Sequence, residues 1–438
     1  MGSINVKCLM LVLLCQLLCF AISFDGAVGV RINNKDQLMR WSSTVSQQAP
    51  AAASAIAPVA PAPGSATGGT CKNRVEIFGY PCEEHTVTTD DGYILSIQRI
   101  PNGQYSGSNT GGNKTPVLLQ HGLMMDGITW LLNSPDESLG YILADNGYDV
   151  WIANSRGTIY SLGHTSLSAA DPEYWNWSWD ELTAYDLPAT FEYVYNQTGQ
   201  QQLHYVGHSL GTLIALTALC QGNLLNMLKS AALLGPIAYM DQVNSPLARS
   251  AADSFIADAI YWLGLDQFDP NGEAVHNFLT KLCKEPSLVN CFDLMTSFTG
   301  PNCCLNSSAV EVFLDHEPQS TATKNMVHLS QMIRRGTVTE YDYDDALENM
   351  KHYGQSSPPA YNISSIPSDV PLFFGYGGQD KLADVKDVEH LLQSIQPHDD
   401  DKLTLHYLAD YSHADLVMAV NAKQALYDPI LAFFNLHS

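Results

Sequence analysis

Val206-Gly207-His208-Ser209-Leu210-Gly211 sets a serine between two glycines in a GxSxG pattern. Its flanks read as strand, turn and helix: Gln202 to Val206 is a short strand and Thr212 to Leu219 a helix. A turn this sharp forces unusual backbone angles on Ser209 and lifts its hydroxyl above the sheet edge, while Gly207 and Gly211 let neighbouring segments approach without Cβ clashes. The first helical turn then aims free NH groups and the positive end of the helix dipole at the same spot, which suits an oxyanion. The chemistry is attack by an activated serine. It needs a base, and an acid that orients the base.

Both partners are expected after the serine, in the order acid then histidine, on loops that leave the carboxyl ends of strands. Pro371 to Tyr376 reads as a buried strand, and Gly377-Gly378-Gln379-Asp380 leaves it as a tight loop presenting a carboxylate. Asp384 and Asp387 fall in the helix that follows, so Asp380 is the acid. Lys402 to Leu408 is the next strand, and Ala409-Asp410-Tyr411-Ser412-His413 is the loop beyond it. Of the 14 histidines, those before Asp380 break the order, His390 sits in a helical pattern, His398 in an acidic connector, His406 inside a strand and His437 at the chain end. His413 is therefore the base. The apolar strand Val117 to Gln120 runs into His121-Gly122-Leu123-Met124, where a second oxyanion donor is wanted. The donor NH groups are assigned to Leu123 and Leu210, His121 to the scaffold, and Arg156, just past the strand Tyr148 to Ala153, to tying loops together.

The elements that position these residues alternate between short apolar strands and helices, as in a mostly parallel sheet flanked by helices. His85 to Thr89 and Tyr93 to Ile100, joined by Asp90-Asp91-Gly92, predict a hairpin ahead of it. From Trp179 the chain turns helical, with Pro188 in a first turn and Gly199 as a stop. Between Asp241 and about Pro367 the alternation lapses into mainly helical sequence. That stretch is expected to be a cap inserted before the strand that carries the acid. Its aromatics read chiefly as cap core, and alternatively as a lid face that meets acyl chains.

With 45% hydrophobic and 10% aromatic residues, the 438-residue chain can bury a large core. A net charge of -24 argues against nucleic acid and anionic lipid as partners, and mutual repulsion of carboxylates favours an acidic compartment. Lys7, the apolar run Cys8 to Phe20 and Ala21-Ile22-Ser23 read as a secretory signal, 1–23. Residues 24–70, rich in Ala and Pro from Ala49 on, read as a flexible linker or removable pro-segment. Sequons begin at Asn113, Asn176, Asn196, Asn306 and Asn362. Three of the ten cysteines leave with the signal, and the remaining odd number requires an unpaired one, placed at Cys220 in the serine's helix. Cys71 with Cys82, and Cys283 with Cys291, are expected to be bridged at about 2 to 4 kcal/mol each, while Cys303 and Cys304 find no assignment. No metal or cofactor motif appears, and His398-Asp399-Asp400-Asp401 reads as a solvated connector.

With those residues placed, the chain resembles the acid lipase family of α/β-hydrolases, the gastric and lysosomal acid lipases and their plant relatives. The resemblance runs from about Val75 to Phe434. It is carried by Cys82-Glu83-Glu84-His85, Asp91-Gly92-Tyr93-Ile94-Leu95, Gln120-His121-Gly122-Leu123, Tyr185-Asp186-Leu187-Pro188-Ala189-Thr190, Leu203 to Ser209, Tyr341-Asp342-Tyr343 and Gly377 to Asp384. It implies the same nucleophile, acid and base, Ser209, Asp380 and His413, and the same oxyanion positions, Leu123 and Leu210. Leu210 stands where animal members usually carry glutamine, and His413-Ala414-Asp415-Leu416 where they usually continue with phenylalanine. The expected architecture is an α/β-hydrolase core in two parts, 71–240 and 368–438, around a helical cap, 241–367. The expected function is hydrolysis of neutral-lipid esters such as triacylglycerol through an acyl-enzyme, without cofactor, in the secretory route: exported, or delivered to a vacuole or lysosome. The alternatives are an esterase or acyltransferase for smaller or sterol-like esters, and a catalytically silent lipid-binding protein.

Overall fold

The computed structural model describes residues 69–104, 114–270, 291–395, 397–399 and 401–438. The expected signal, nearly all of the linker, Asn113 and Cys283 lie outside these residues, so the pairing of Cys283 with Cys291 does too. Apart from Trp262–Gly264, the described residues belong to one compact unit.

Nine strands form the main sheet: β1 (Glu83–Thr88), β2 (Tyr93–Ile100), β3 (Pro116–Gln120), β4 (Asp149–Ala153), the two-residue β5 (Gly163–His164), β6 (Leu203–His208), β7 (Leu228–Leu234), β10 (Leu372–Gly377) and β11 (Leu403–Leu408). Two short strands in the insertion, β8 (Gln267–Phe268) and β9 (Thr321–Ala322), pair with each other. The order across the main sheet is β1-β2-β4-β3-β6-β7-β10-β11, with β5 alongside β2. β1 and β2 form the expected antiparallel hairpin and β2 meets β4 antiparallel, whereas every pairing from β4 to β11 is parallel.

Side-chain alternation sends apolar residues to both faces of the central strands, and helices cover both. Leu118, Trp151 and Tyr205 join Leu187, Phe191 and Leu213 on one side; Val117, Leu119, Val150 and Val206 join Leu139, Ile142, Ile430 and Phe434 on the other. Each such side chain contributes about 1.5 to 3 kcal/mol by burial. The first side is covered by α2 (Leu187–Thr198) and α3 (Leu210–Cys220), the second by α1 (Leu139–Asp145) and the C-terminal helix Asp428–Leu436. α2 carries Pro188 in its first turn and ends at Gly199 in the left-handed region. Its approach is fixed by a capping box in which Ser178 and Glu181 exchange hydrogen bonds.

β7 and β10 are neighbours in the sheet, yet the insertion lies between them in sequence. It contributes α4 (Pro246–Asp253), α5 (Cys291–Thr299), α6 (Ser307–His316), α7 (Thr323–Arg335) and α8 (Ala346–Tyr353). Its start and the end of α7 meet at a neck. The Arg249 guanidinium donates to the carbonyls of Asp241 and Ile333, and Gly336, at φ 64°, sits so close to Asp241 that an added Cβ would lie 2.8 Å from that side chain's Cβ. Cys71 and Cys82 are bridged, as expected, with Cα atoms 5.4 Å apart, and Cys220 is free. Cys303 and Cys304, adjacent in sequence, are bonded to each other. No helix among the described residues is long and apolar enough to cross a membrane.

Candidate active site

Ser209 is the single residue between β6 and α3, at φ 54° and ψ -118°. A non-glycine residue there costs about 1 to 3 kcal/mol, and the surroundings hold it in place. Its NH donates to Leu234 (2.9 Å), and its carbonyl accepts from the NH (2.8 Å) and hydroxyl (2.6 Å) of Thr212. The glycines around it answer to steric demands. A Cβ on Gly211 would come within 2.7 Å of the Gln120 carbonyl oxygen, and one on Gly122 within 2.9 Å of the Ser209 Cβ. The elbow and the loop after β3 are therefore in direct contact.

β10 delivers Asp380 and β11 delivers His413 to the same edge, because the two strands run parallel and in register. His413 Nδ1 lies 2.7 Å from Asp380 Oδ2, and the other carboxylate oxygen accepts the NH groups of Leu382 and Ala383, each at 2.8 Å. Both side chains are buried. An imidazole whose Nδ1–H is committed to a carboxylate offers Nε2 as an acceptor. That Nε2 is buried and has no hydrogen-bond partner among the described residues. The His413 ring packs against Gly235, one residue past the carbonyl that holds the Ser209 NH. Its backbone carbonyl accepts from His208 Nε2 at 3.2 Å, and the two rings are 4.7 Å apart. Burial holds His208 well below its ordinary value, so it stays neutral beside the base.

The rivals are engaged elsewhere. Asp384 caps α9 (Val385–Ser394) at the NH of Lys386, Asp387 accepts the NH of Gln242, His390 stacks on Tyr239 and His406 donates to the Ala425 carbonyl. Leu123 and Leu210 line one small cleft together with Ser320, Thr321 and Asn325 of the insertion. His121 accepts the Ser155 NH on Nε2 (3.0 Å) and gives its Nδ1 proton to the Gly122 carbonyl (2.8 Å), while burial lowers its pKa to about 4. These bonds use both ring nitrogens for scaffolding. Arg156 ties loops as expected: it grips Asp91 through two nitrogens (2.6 and 2.9 Å) and Asp186 through a third (2.7 Å).

Two features had no signal in a single sequence. Asp126, two residues past Met124, donates its NH to Glu317 Oε1 at 2.8 Å, and both carboxyl groups are buried. Burial raises Asp126 to about 6; burial, followed by the Asp126 charge, holds Glu317 well above its ordinary value. With the bond from the Gln319 NH to the Met124 carbonyl (2.8 Å), this pair fastens the insertion to the loop after β3. Asp415, two residues past His413, is the other. With Cys303 and Cys304 it has the spacing of a metal site, but the sulfurs are bonded to each other and both carboxylate oxygens accept backbone NH groups. Among the sequon asparagines, Asn176, Asn196 and Asn362 are exposed, and Asn306 caps α6 through its side-chain oxygen.

Comparison with known proteins agrees with this geometry. Residues 71–134 match the family model described as a partial alpha/beta-hydrolase lipase region, and residues 115–415 match that of the alpha/beta hydrolase fold. Triacylglycerol lipase 2 of Arabidopsis thaliana is 48% identical over 84% of this chain and 88% of its own. The lysosomal acid lipase/cholesteryl ester hydrolase of Homo sapiens is 38% identical over 82% and 88%. A solved soluble variant of monoglyceride lipase from Saccharomyces cerevisiae covers 82% of this chain and 95% of its own at a TM-score of 0.51 and 14% identity, a likeness of fold. Sheet order, elbow, relatives and family models agree, and the chain belongs to the acid lipase family of α/β-hydrolases.

Proposed function

We propose that this protein is a serine lipase that hydrolyses triacylglycerol through an acyl-enzyme. The observation that carries the reading is the 2.7 Å bond between His413 and Asp380, with Nε2 left without a partner among the described residues and Ser209 held at positive φ between β6 and α3. His413 takes the Ser209 proton as the oxygen attacks the ester carbonyl, and Asp380 stabilises the imidazolium. The NH groups of Leu123 and Leu210 receive the oxyanion, at about 3 kcal/mol each. The imidazolium returns its proton to the departing alcohol, and water then repeats the cycle and frees the fatty acid. The substrate class is supported by the name of the Arabidopsis relative, and a sterol ester as second substrate by that of the human one.

Residues 241–367 act as the cap over this site, their bonds to Met124 and Asp126 supporting that role. The leader at 1–23 sends the chain into the secretory route, to the exterior or to an acidic vacuole or lysosome, with glycans at the exposed sequons. The test is hydrolysis of emulsified long-chain triacylglycerol from pH 4 to 8, beside a cholesteryl ester and a soluble short-chain ester. Ser209→Ala is expected to lose about a million-fold in kcat and Asp380→Asn about ten-thousand-fold, with the fold retained. Near-normal turnover in either variant would sink the assignment. Activity on the soluble ester alone would make the protein an esterase, and ester transfer to added alcohol an acyltransferase.

A further inference from the structure

Asp415 has no exposed surface. Its Oδ2 accepts the NH groups of Ser412 (2.8 Å) and Cys303 (3.1 Å), and its Oδ1 accepts that of Cys304 (3.1 Å). One donor belongs to the loop of the base. The other two come from the segment after α5, 112 and 111 residues away in sequence. Bonds from NH groups to an ionised carboxylate are among the stronger ones, and burial removes water as a competitor. The two distant donors are adjacent residues joined by a disulfide, and the ring closed through their shared peptide limits how one can turn against the other. Their NH groups are held convergent on one carboxylate.

The same segment is bonded to both catalytic loops. The Thr299 carbonyl accepts the NH of His413 (3.3 Å) and that of Lys381 (3.2 Å), the neighbour of Asp380. The Ser412 hydroxyl is bonded to the Asn302 side chain, and the Val420 NH donates to the Cys304 carbonyl (2.9 Å). Gly300 is pressed against the Gln379 carbonyl with no room for a Cβ. The loops of acid and base are thus registered against a common third strip of backbone, and Asp415 is the charged group that binds the His413 loop to it.

We propose that Asp415 is a positioning residue for the base, holding the His413 loop on residues 299–304 so that the imidazole keeps its contact with Asp380, with the Cys303–Cys304 disulfide orienting the two donors. It touches no reacting atom. The inference rests on the triad reading above and adds a residue outside the triad.

Asp415→Asn keeps the shape but turns one acceptor oxygen into a donor facing other donors. It is expected to lower kcat about 100-fold on a soluble ester while KM stays within about two-fold, with Asp415→Glu recovering part of the loss. Cys303→Ser/Cys304→Ser keeps both NH groups and releases their orientation, with about a ten-fold loss of kcat and unchanged KM expected. Labelling by a fluorophosphonate checks the underlying site separately. A wild type left unlabelled at Ser209 would remove the triad reading; equal labelling rates in wild type and Asp415→Asn would overturn the positioning role alone. If Asp415→Asn does not fold, the double serine variant decides, and an unchanged kcat there overturns the proposal.

Discussion

Arg156 has no exposed side-chain surface, and its guanidinium lies 3.8 Å over the Tyr93 ring while it grips Asp91 and Asp186. Arg156→Met would leave two carboxylates without their cation, one of them buried. It is expected to cost about 3 to 5 kcal/mol, read as a lower denaturant midpoint at pH 7. An unchanged midpoint would mean that water reaches Asp91 and Asp186 freely. At this scale the sequence was legible where chemistry imposes an order. Ser209, Asp380 and His413 could be proposed because serine, acid and histidine are expected in that order at strand ends, and the last two do meet in the fold. Asp415 was invisible as a partner because its donors are remote in sequence. Glu317 was missed for another reason: burial is what sets its protonation, and one residue's burial cannot be read from its type.

The strands were legible as elements because those at the centre of the sheet are apolar on both faces. Val117 to Gln120, Gln202 to Val206 and Pro371 to Tyr376 were all expected as strands, and the observed bounds differ by a residue or two. α3 was equally plain, since nearly all of it is buried. The insertion was legible only as mainly helical. Its bonds to the core run through backbone carbonyls, the Asp415 carboxylate and the Asp126–Glu317 pair, which leave no periodic trace. Close packing of elements gives the next test. Gly211→Ala would push α3 off the carbonyl oxygens of Gln120 and His121, which lie 2.7 and 3.0 Å from the added Cβ. Overpacking of this kind is expected to cost about 1 to 3 kcal/mol and to lower kcat as the elbow shifts, whereas Gly199→Ala, with open space around it, should leave kcat unchanged. Equal kcat in both variants would count against the contact between elbow and loop.

Across the whole molecule, two sets of buried groups pull stability in opposite directions with pH. Burial raises Asp126 to about 6, Asp387 to about 7 and Asp180 to about 8, so the stability these acids support is full below about pH 4 and is lost as pH rises through those values. Burial lowers His121 to about 4 and His204 and His328 to about 3, so their contribution is full above about pH 6.5 and is lost as pH falls. The two slopes oppose each other between about pH 4 and 6.5. The melting temperature is therefore expected to form a plateau there and fall on both sides, as calorimetry across pH would register; a maximum above pH 7.5 would contradict it. The net charge of -24 steepens the alkaline side. The neck at Asp241, Arg249 and Gly336 bears on how such a chain can diversify. Because the stretch from Asp241 to Gly336 leaves and returns through one pinch point, its length scarcely affects the entropy of closing it, about 0.6 kcal/mol per doubling. The stretch beyond the neck is in that sense a cassette. A relative's segment grafted between Asp241 and Gly336 would have to keep residues 299–304, on which the loops of Asp380 and His413 rest, and could vary in the rest of its length.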